Sequence, residues 1–155
     1  MDEQTRCVRV ADRDLQMRRV EAEAVLDLRH RILRAGLPRK TAVFEGDERA
    51  ETVHLAAYHD GVVVGCLTLH PSAWQGEPAM QLRGMAVENG WQGLGVGGAL
   101  LEWAQELASV PVLWCNARKP AVGFYRAHGW TVASEEFEIP TAGPHVRMVR
   151  RRIAR

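Results

Sequence analysis

Gln92-Gly93-Leu94-Gly95-Val96-Gly97-Gly98 is the stretch on which the reading of this chain turns. Gly93, Gly95 and Gly98 satisfy the spacing Gly-x-Gly-x-x-Gly. An amphipathic segment follows to about Ala108, with Val96, Leu100, Trp103 and Leu107 on one face. Glycine lets a backbone approach a ligand closely. Amides at a helix N-terminus point outward, and the helix dipole favours negative charge there, so a pyrophosphate suits the segment. The competing reading is a glycine-rich turn that only lets helix and sheet pack tightly. A dinucleotide fingerprint needs its first glycine directly after a buried strand, and an acidic residue about 20 positions on. Here Glu88 to Gln92 intervene, and Leu113 to Ala117 offers no acid. A P-loop is excluded because no Gly-Lys-Ser/Thr follows.

Upstream, Met80 to Val87 reads as a strand in which Gly84 marks a bulge. Thr52 to Tyr58 and Val62 to Leu69 read as strands joined at Asp60-Gly61, a pair that favours a tight hairpin because both positions need positive φ. Pro71 to Pro78 reads as a loop. Nearer the start, Cys7 to Ala11 is a short strand and residues from about Met17 to Leu33 a helix, with Val25, Leu28 and Ile32 on one stripe and Gly36 and Pro38 ending it. Arg39 to Glu51 is polar loop. Downstream, Val112 to Cys115 is a short apolar strand and so central. Pro120 fits the first turn of another helix and Gly129 its stop. Trp130 to Ile139 and His145 to Ile153 close the chain as strands. The order β-α-β-β-β-α-β-α-β-β mixes hairpins with crossover helices, which predicts an α/β fold with a mixed sheet.

A chain of 155 residues suits one domain spanning 1–155. With 20 basic and 19 acidic side chains, overall charge gives no reason to expect nucleic acid. Arg147, Arg150, Arg151, Arg152 and Arg155 crowd the end and read as a solvated strand end and tail rather than a polyanion contact. Cys7, Cys66 and Cys115 are scattered, which argues against a disulfide framework or zinc site and for a reducing compartment. His54 and His59 lack the spacing of a helical metal pair, and no metal is expected. No apolar run reaches bilayer length and the charged start has no signal core, so a soluble cytoplasmic protein is expected.

Gln92, Gly95 and Gly97 match Gln/Arg-x-x-Gly-x-Gly/Ala, and Leu82-Arg83-Gly84-Met85-Ala86-Val87 leads into it as a strand. Asn116-Ala117-Arg118-Lys119-Pro120-Ala121-Val122-Gly123-Phe124-Tyr125 is similar to an Asn-x-x-Ala-x-x-Phe-Tyr region, with Asn116 standing farther from Ala121 than in that pattern. In these motifs, over roughly Val53 to Met148, the chain resembles the GNAT superfamily of N-acetyltransferases. Leu28-Arg29-His30-Arg31-Ile32-Leu33-Arg34, Phe44-Glu45-Gly46-Asp47 and Gly143-Pro144-His145-Val146-Arg147-Met148 resemble a bacterial subgroup with mostly unassigned acceptors.

The resemblance implies a mixed, mostly antiparallel sheet of six to seven strands flanked by helices on both faces. It implies an acetyl-CoA-dependent N-acetyltransferase that moves the acetyl group directly to a primary amine, with no covalent enzyme intermediate. Backbone at Met85, Ala86 and Val87 would hold the pantetheine arm. Amides of Gly93, Leu94, Gly95, Val96, Gly97 and Gly98 would hold the pyrophosphate, with the Gln92 side chain as a further contact. Asn116 would reach the pantetheine, and Ala121 and Phe124 would lie beside the cofactor. Tyr125 would protonate the departing thiolate, as a positioned acid whose ordinary pKa lies above the thiol's, about 8.5. Glu77, Glu88, His70, His145 and a water chain are all candidates for the base. Gln81 and Arg83 share a strand face that otherwise favours apolar residues, and with His145 they are candidate acceptor contacts. A guanidinium there suits an anionic small-molecule amine. The rival reading is a catalytically silent acetyl-CoA-binding module. Many relatives are dimers, so a homodimer stays open.

Overall fold

In the computed structural model, which describes residues 4–152, the chain runs β1 (Thr5–Val10), β2 (Arg13–Val20), α1 (Ala22–Leu33), β3 (Val53–His59), β4 (Val62–Pro71), β5 (Ala79–Val87), α2 (Val96–Leu107), β6 (Val112–Arg118), α3 (Val122–Ala127), β7 (Thr131–Val132), β8 (Phe137–Ile139) and β9 (Gly143–Arg151). Ile153 and Arg155, read above as strand end and tail, lie outside the described residues. The described chain falls into two units. One runs to His70 and resumes at Gly84–Leu107; the other takes Pro71–Arg83 and the described residues from Ala108.

In the first unit the strand order is β1-β2-β3-β4, followed by the Gly84–Val87 half of β5. Asp60 (φ 49°) and Gly61 (φ 78°) make the expected two-residue hairpin between β3 and β4. Helix α1 lays Val25 and Leu28 against Ala56, Cys66 and Ala86. Full burial of such a side chain contributes roughly 1.5–3 kcal/mol. Helix α2 packs on the other face, over Gly65, where an added Cβ would stand 2.6 Å from Val96 Cγ1 and 3.1 Å from Leu100 Cδ1. Gly65 and Cys66 are adjacent on β4, and successive strand residues point to opposite faces, so helices cover both faces of this unit.

In the second unit β6 pairs in parallel with the start of β5 and antiparallel with β9, which also carries β7 and β8. The β5–β6 ladder covers Ala79↔Val112, Met80↔Leu113 and Gln81↔Trp114. Trp74, Ala79 and Val112 form a small core with Trp114 and Val149 against it, and the Trp114 indole donates to the Ser72 carbonyl at 2.9 Å.

The mixed α/β class holds, with nine strands among the described residues. Two differences from the sequence reading account for the larger number. Met17 to Val20 is strand, not helix: Leu15 and Met17 alternate inward on β2, and α1 starts only at Ala22. Trp130 to Ile139 divides into β7 and β8, both laid on β9. Three of the C-terminal arginines have intramolecular partners: Arg147 lies over the Phe137 ring, Arg151 pairs with Glu77, and Arg152 donates to the Ala108 carbonyl.

Candidate active site

The glycine segment forms a turn from Trp91 to Gly95 that feeds α2, whose first bond runs from the Ala99 amide to the Gly95 carbonyl at 3.0 Å. Gly93 (φ 78°) and Gly95 (φ 105°) have left-handed backbones, where a side chain is strained. An added Cβ at Gly93 would meet nothing within 4 Å, and one at Gly95 only Val10 Cγ1 at 3.6 Å. Gln92, Gly93, Leu94 and Gly95 are exposed, whereas Val96 is buried and Gly97 and Gly98 half-buried. The packing explanation of these first two glycines therefore fails. The Gln92 side-chain nitrogen donates to the Val87 carbonyl at 3.0 Å and to Asn89 Oδ1 at 3.4 Å. Its two N–H groups brace the turn.

Gly84 sits inside β5 with φ 66°, an interruption of the extended chain consistent with the expected bulge. Met85 and Val87 are half-buried and Ala86 buried. Behind Gly84 lies a fully buried guanidinium: an added Cβ would stand 2.9 Å from Arg29 Nε. Arg29 Nη1 donates to the Ala42 carbonyl at 2.7 Å and to Asp47 Oδ2 at 2.6 Å; Nη2 donates to Thr68 Oγ1 at 2.8 Å. The Phe44 ring covers the guanidinium at 4.1 Å. His54 Nε2 meets the Asp47 carbonyl and Nδ1 meets Thr68 Oγ1, both at 2.8 Å. A carbonyl can only accept, so Nε2 carries the proton and the Thr68 hydroxyl donates to Nδ1. This cluster was not among the expected site residues. Its signal was an arginine four residues after Val25 and three before Ile32, on the apolar stripe of α1.

The base candidates separate. Arg31 grips Glu88 with both nitrogens, at 3.0 and 2.7 Å, and these hydrogen bonds hold the Glu88 carboxyl below the usual carboxylate range. Glu77 pairs with Arg151 Nη1 at 2.8 Å. His70 is half-buried, with Nδ1 3.4 Å from Thr52 Oγ1. His145 is buried, with Nδ1 2.8 Å from the Gly143 carbonyl.

In the second unit Tyr125 is buried on α3, ringed by Phe124 at 5.2 Å and Trp130 at 5.3 Å. Its hydroxyl pairs with the Cys115 thiol. Burial, reinforced by that neighbour, pushes the Tyr125 hydroxyl far above its ordinary value. Burial likewise pushes the Cys115 thiol up to about 12. Asn116 is exposed, and Ala121 and Phe124 are half-buried. Gln81 and Arg83 are half-buried on β5, Gln81 in register with Trp114.

Residues 50–132 match the model of the GNAT acetyltransferase domain. The chain belongs to the GNAT family of acetyltransferases. It is 30% identical over 143 residues to an uncharacterized N-acetyltransferase, YitI, of Bacillus subtilis (strain 168), covering 86% of this chain and 94% of that protein. Its fold is similar to Escherichia coli ElaA, with a TM-score of 0.74 at 17% identity over 88% of this chain and 99% of that one. It is also similar to a GNAT acetyltransferase from Elizabethkingia anophelis with acetyl-CoA bound, with a TM-score of 0.65 at 15% identity over 88% and 97% of the two chains. As a GNAT N-acetyltransferase the protein is an enzyme of the acyltransferase class. Among the described residues no helix is long and apolar enough to cross a membrane, and no group of three metal-ligating side chains occurs.

Proposed function

We propose that residues 1–155 act as one domain that binds acetyl-CoA and transfers its acetyl group directly to a primary amine. The observation that carries this reading is the turn at Gly93 and Gly95, left-handed and exposed, with open space at Gly93 and only Val10 Cγ1 near Gly95. A pyrophosphate needs open space in front of outward-pointing amides at a helix start. The amides from Gly93 to Gly98 take that role, and backbone at Met85, Ala86 and Val87 takes the pantetheine arm. Gln92 serves by bracing the turn rather than by touching phosphate, because both its N–H groups have acceptors. Asn116, Ala121 and Phe124 are assigned to the cofactor's surroundings.

Tyr125 serves the leaving group. Its raised pKa keeps it protonated at any working pH. Complete transfer of its proton to a thiolate of pKa about 8.5 is uphill, so its main contribution is a hydrogen bond to the developing charge, the final proton coming by way of solvent. Gln81, Arg83 and His145 face the acceptor, and the guanidinium of Arg83 selects an amine that carries a carboxylate or phosphate.

Calorimetric titration with acetyl-CoA and, separately, NADH tests the pocket. Acetyl-CoA binding with silent NADH is expected; no acetyl-CoA heat up to about a millimolar overturns the reading. Release of free thiol is then followed with spermidine, lysine, taurine and phosphoethanolamine. Binding without release from any amine makes the domain a silent acetyl-CoA module. Equal turnover of neutral and anionic amines by both wild type and Arg83→Ala sinks the anionic acceptor.

A further inference from the structure

Of the four side chains that could take a proton from the attacking amine, two are committed to cations: Glu88 to Arg31 and Glu77 to Arg151. His145 differs in kind. It is 4% exposed and opens β9 just after the β8–β9 hairpin, whose ladder ends at Ile139↔Gly143. Gly143 is left-handed (φ 87°) and Pro144 follows it. The Gly143 carbonyl is held 2.8 Å from His145 Nδ1. Phe137, directly opposite in the register, lies against the imidazole with ring centroids 6.1 Å apart. A carbonyl accepts and never donates, so the neutral ring must carry its hydrogen on Nδ1. The lone pair is then on Nε2, which has no hydrogen-bond partner among the described residues. An imidazole held by one nitrogen with the other left basic is the arrangement a general base requires.

The β6–β9 register adds a second observation. Cys115 pairs with Met148 and Arg118 with His145, three positions along each strand. Alternation therefore puts Cys115, and the Tyr125 hydroxyl paired with it, on one face of these strands and His145 on the other. The two groups therefore do not meet, and His145 Nε2 is not taken up by the Tyr125 hydroxyl. The charged groups around His145 are Arg118 opposite it on β6, Arg147 over Phe137, and Glu136 and Glu138 flanking Phe137, with Glu136 paired to Lys119.

We infer that His145 Nε2 is the base that deprotonates the acceptor amine, a step that rests on the acetyl transfer proposed above. The amine nitrogen bonds to the thioester carbonyl carbon and gives a proton to His145 Nε2. The carbon–sulfur bond breaks, and the sulfur keeps the electron pair, accepts a hydrogen bond from Tyr125 and is protonated from solvent. The proton on His145 passes to solvent, so the products are the amide and free coenzyme A thiol.

His145→Asn tests this, because Asn Nδ2 stands close to where His Nδ1 stood and keeps the bond to Gly143 while removing the basic nitrogen. His145→Gln is the second variant, without a titrating group. The amine from the panel with the fastest thiol release is the probe. Acetyl-CoA affinity should stay within about twofold, while kcat/KM for the amine falls roughly 10²–10⁴-fold. Both variants should lose any acidic limb that the wild-type pH–rate profile shows. Nitrogen-15 NMR of the wild-type imidazole at pH 8 should find Nδ1 protonated and Nε2 bare. A proton on Nε2, or variants that keep full rate and the acidic limb, overturns the assignment while leaving acetyl transfer intact. A wild type that binds acetyl-CoA but acetylates no amine overturns the transfer reading together with its base.

Discussion

Two pairs of glycines in the first unit do opposite things. At Gly65 and Gly84 the space a side chain would occupy is already filled, by Val96 Cγ1 at 2.6 Å and Arg29 Nε at 2.9 Å. At Gly93 and Gly95 the space is open or nearly so, and what demands glycine is the left-handed backbone. The first pair lets helices approach the sheet; the second leaves room for something that is not protein. A glycine motif read as letters does not separate these roles, whereas the volume in front of each Cα does.

Removing the guanidinium in front of Gly84 gives the largest expected effect. Arg29→Met takes the guanidinium away from the buried Asp47 carboxylate and should cost about 3–5 kcal/mol in urea unfolding. Gly84→Ala should cost about 3 kcal/mol, from overpacking and the left-handed backbone, and lower Tm by roughly 10 °C. If the clash with Arg29 is the cause, the two losses will not add, and the double variant will show a coupling of about 1 kcal/mol or more. Strict additivity would break the comparison at its packed end.

Gly93→Ala probes the open end. It should cost only about 1 kcal/mol of stability, for the backbone alone, yet raise the Kd for acetyl-CoA at least tenfold, or about 1.4 kcal/mol. Unchanged affinity would remove the ligand from the second pair of glycines. The smallest effect is a pH dependence. Burial lifts the Cys66 thiol to about 11 and the Cys115 thiol to about 12, from 9.0. The folded state then holds protons that the unfolded state sheds above pH 9, so stability is full below about pH 9 and declines from there towards pH 11 to 12. Tm should be flat from pH 7 to 8.5 and fall beyond, and Cys115→Ala should flatten the fall.

Much of this was legible in the chain. The hairpin at Asp60-Gly61, the stripe of α1 and the helix that begins at Val96 follow from turn chemistry and periodicity. Strand β2 was not, because Ala11 (φ 50°) and Asp12 (φ 61°) turn the first hairpin without a glycine or asparagine, and Arg13-Asp14-Leu15-Gln16-Met17-Arg18-Arg19-Val20 shows only two buried apolar residues. The site divides in the same way. The glycine turn is local and announces itself. Arg29 meets Asp47 eighteen residues on and Thr68 thirty-nine on, and Glu88 meets Arg31 across 57 residues. Pairings at such separations leave no local pattern, only an arginine out of place on an apolar stripe.

The same buried charge governs how the first unit can open. The segment from Pro38 to Glu51 is largely exposed and has one 3-10 turn, Arg39–Ala42, features that ordinarily mark a chain that frays early. Here it carries the carboxylate of Asp47 and the carbonyl of Ala42, both hydrogen-bonded by Arg29. Lifting the segment away would strand a guanidinium in the interior, a cost comparable to dismantling the core around it. Amide hydrogen exchange at Phe44, whose N–H is held by Asp47 at 2.8 Å, should therefore follow global unfolding, and an exposed loop becomes part of the cooperative fold.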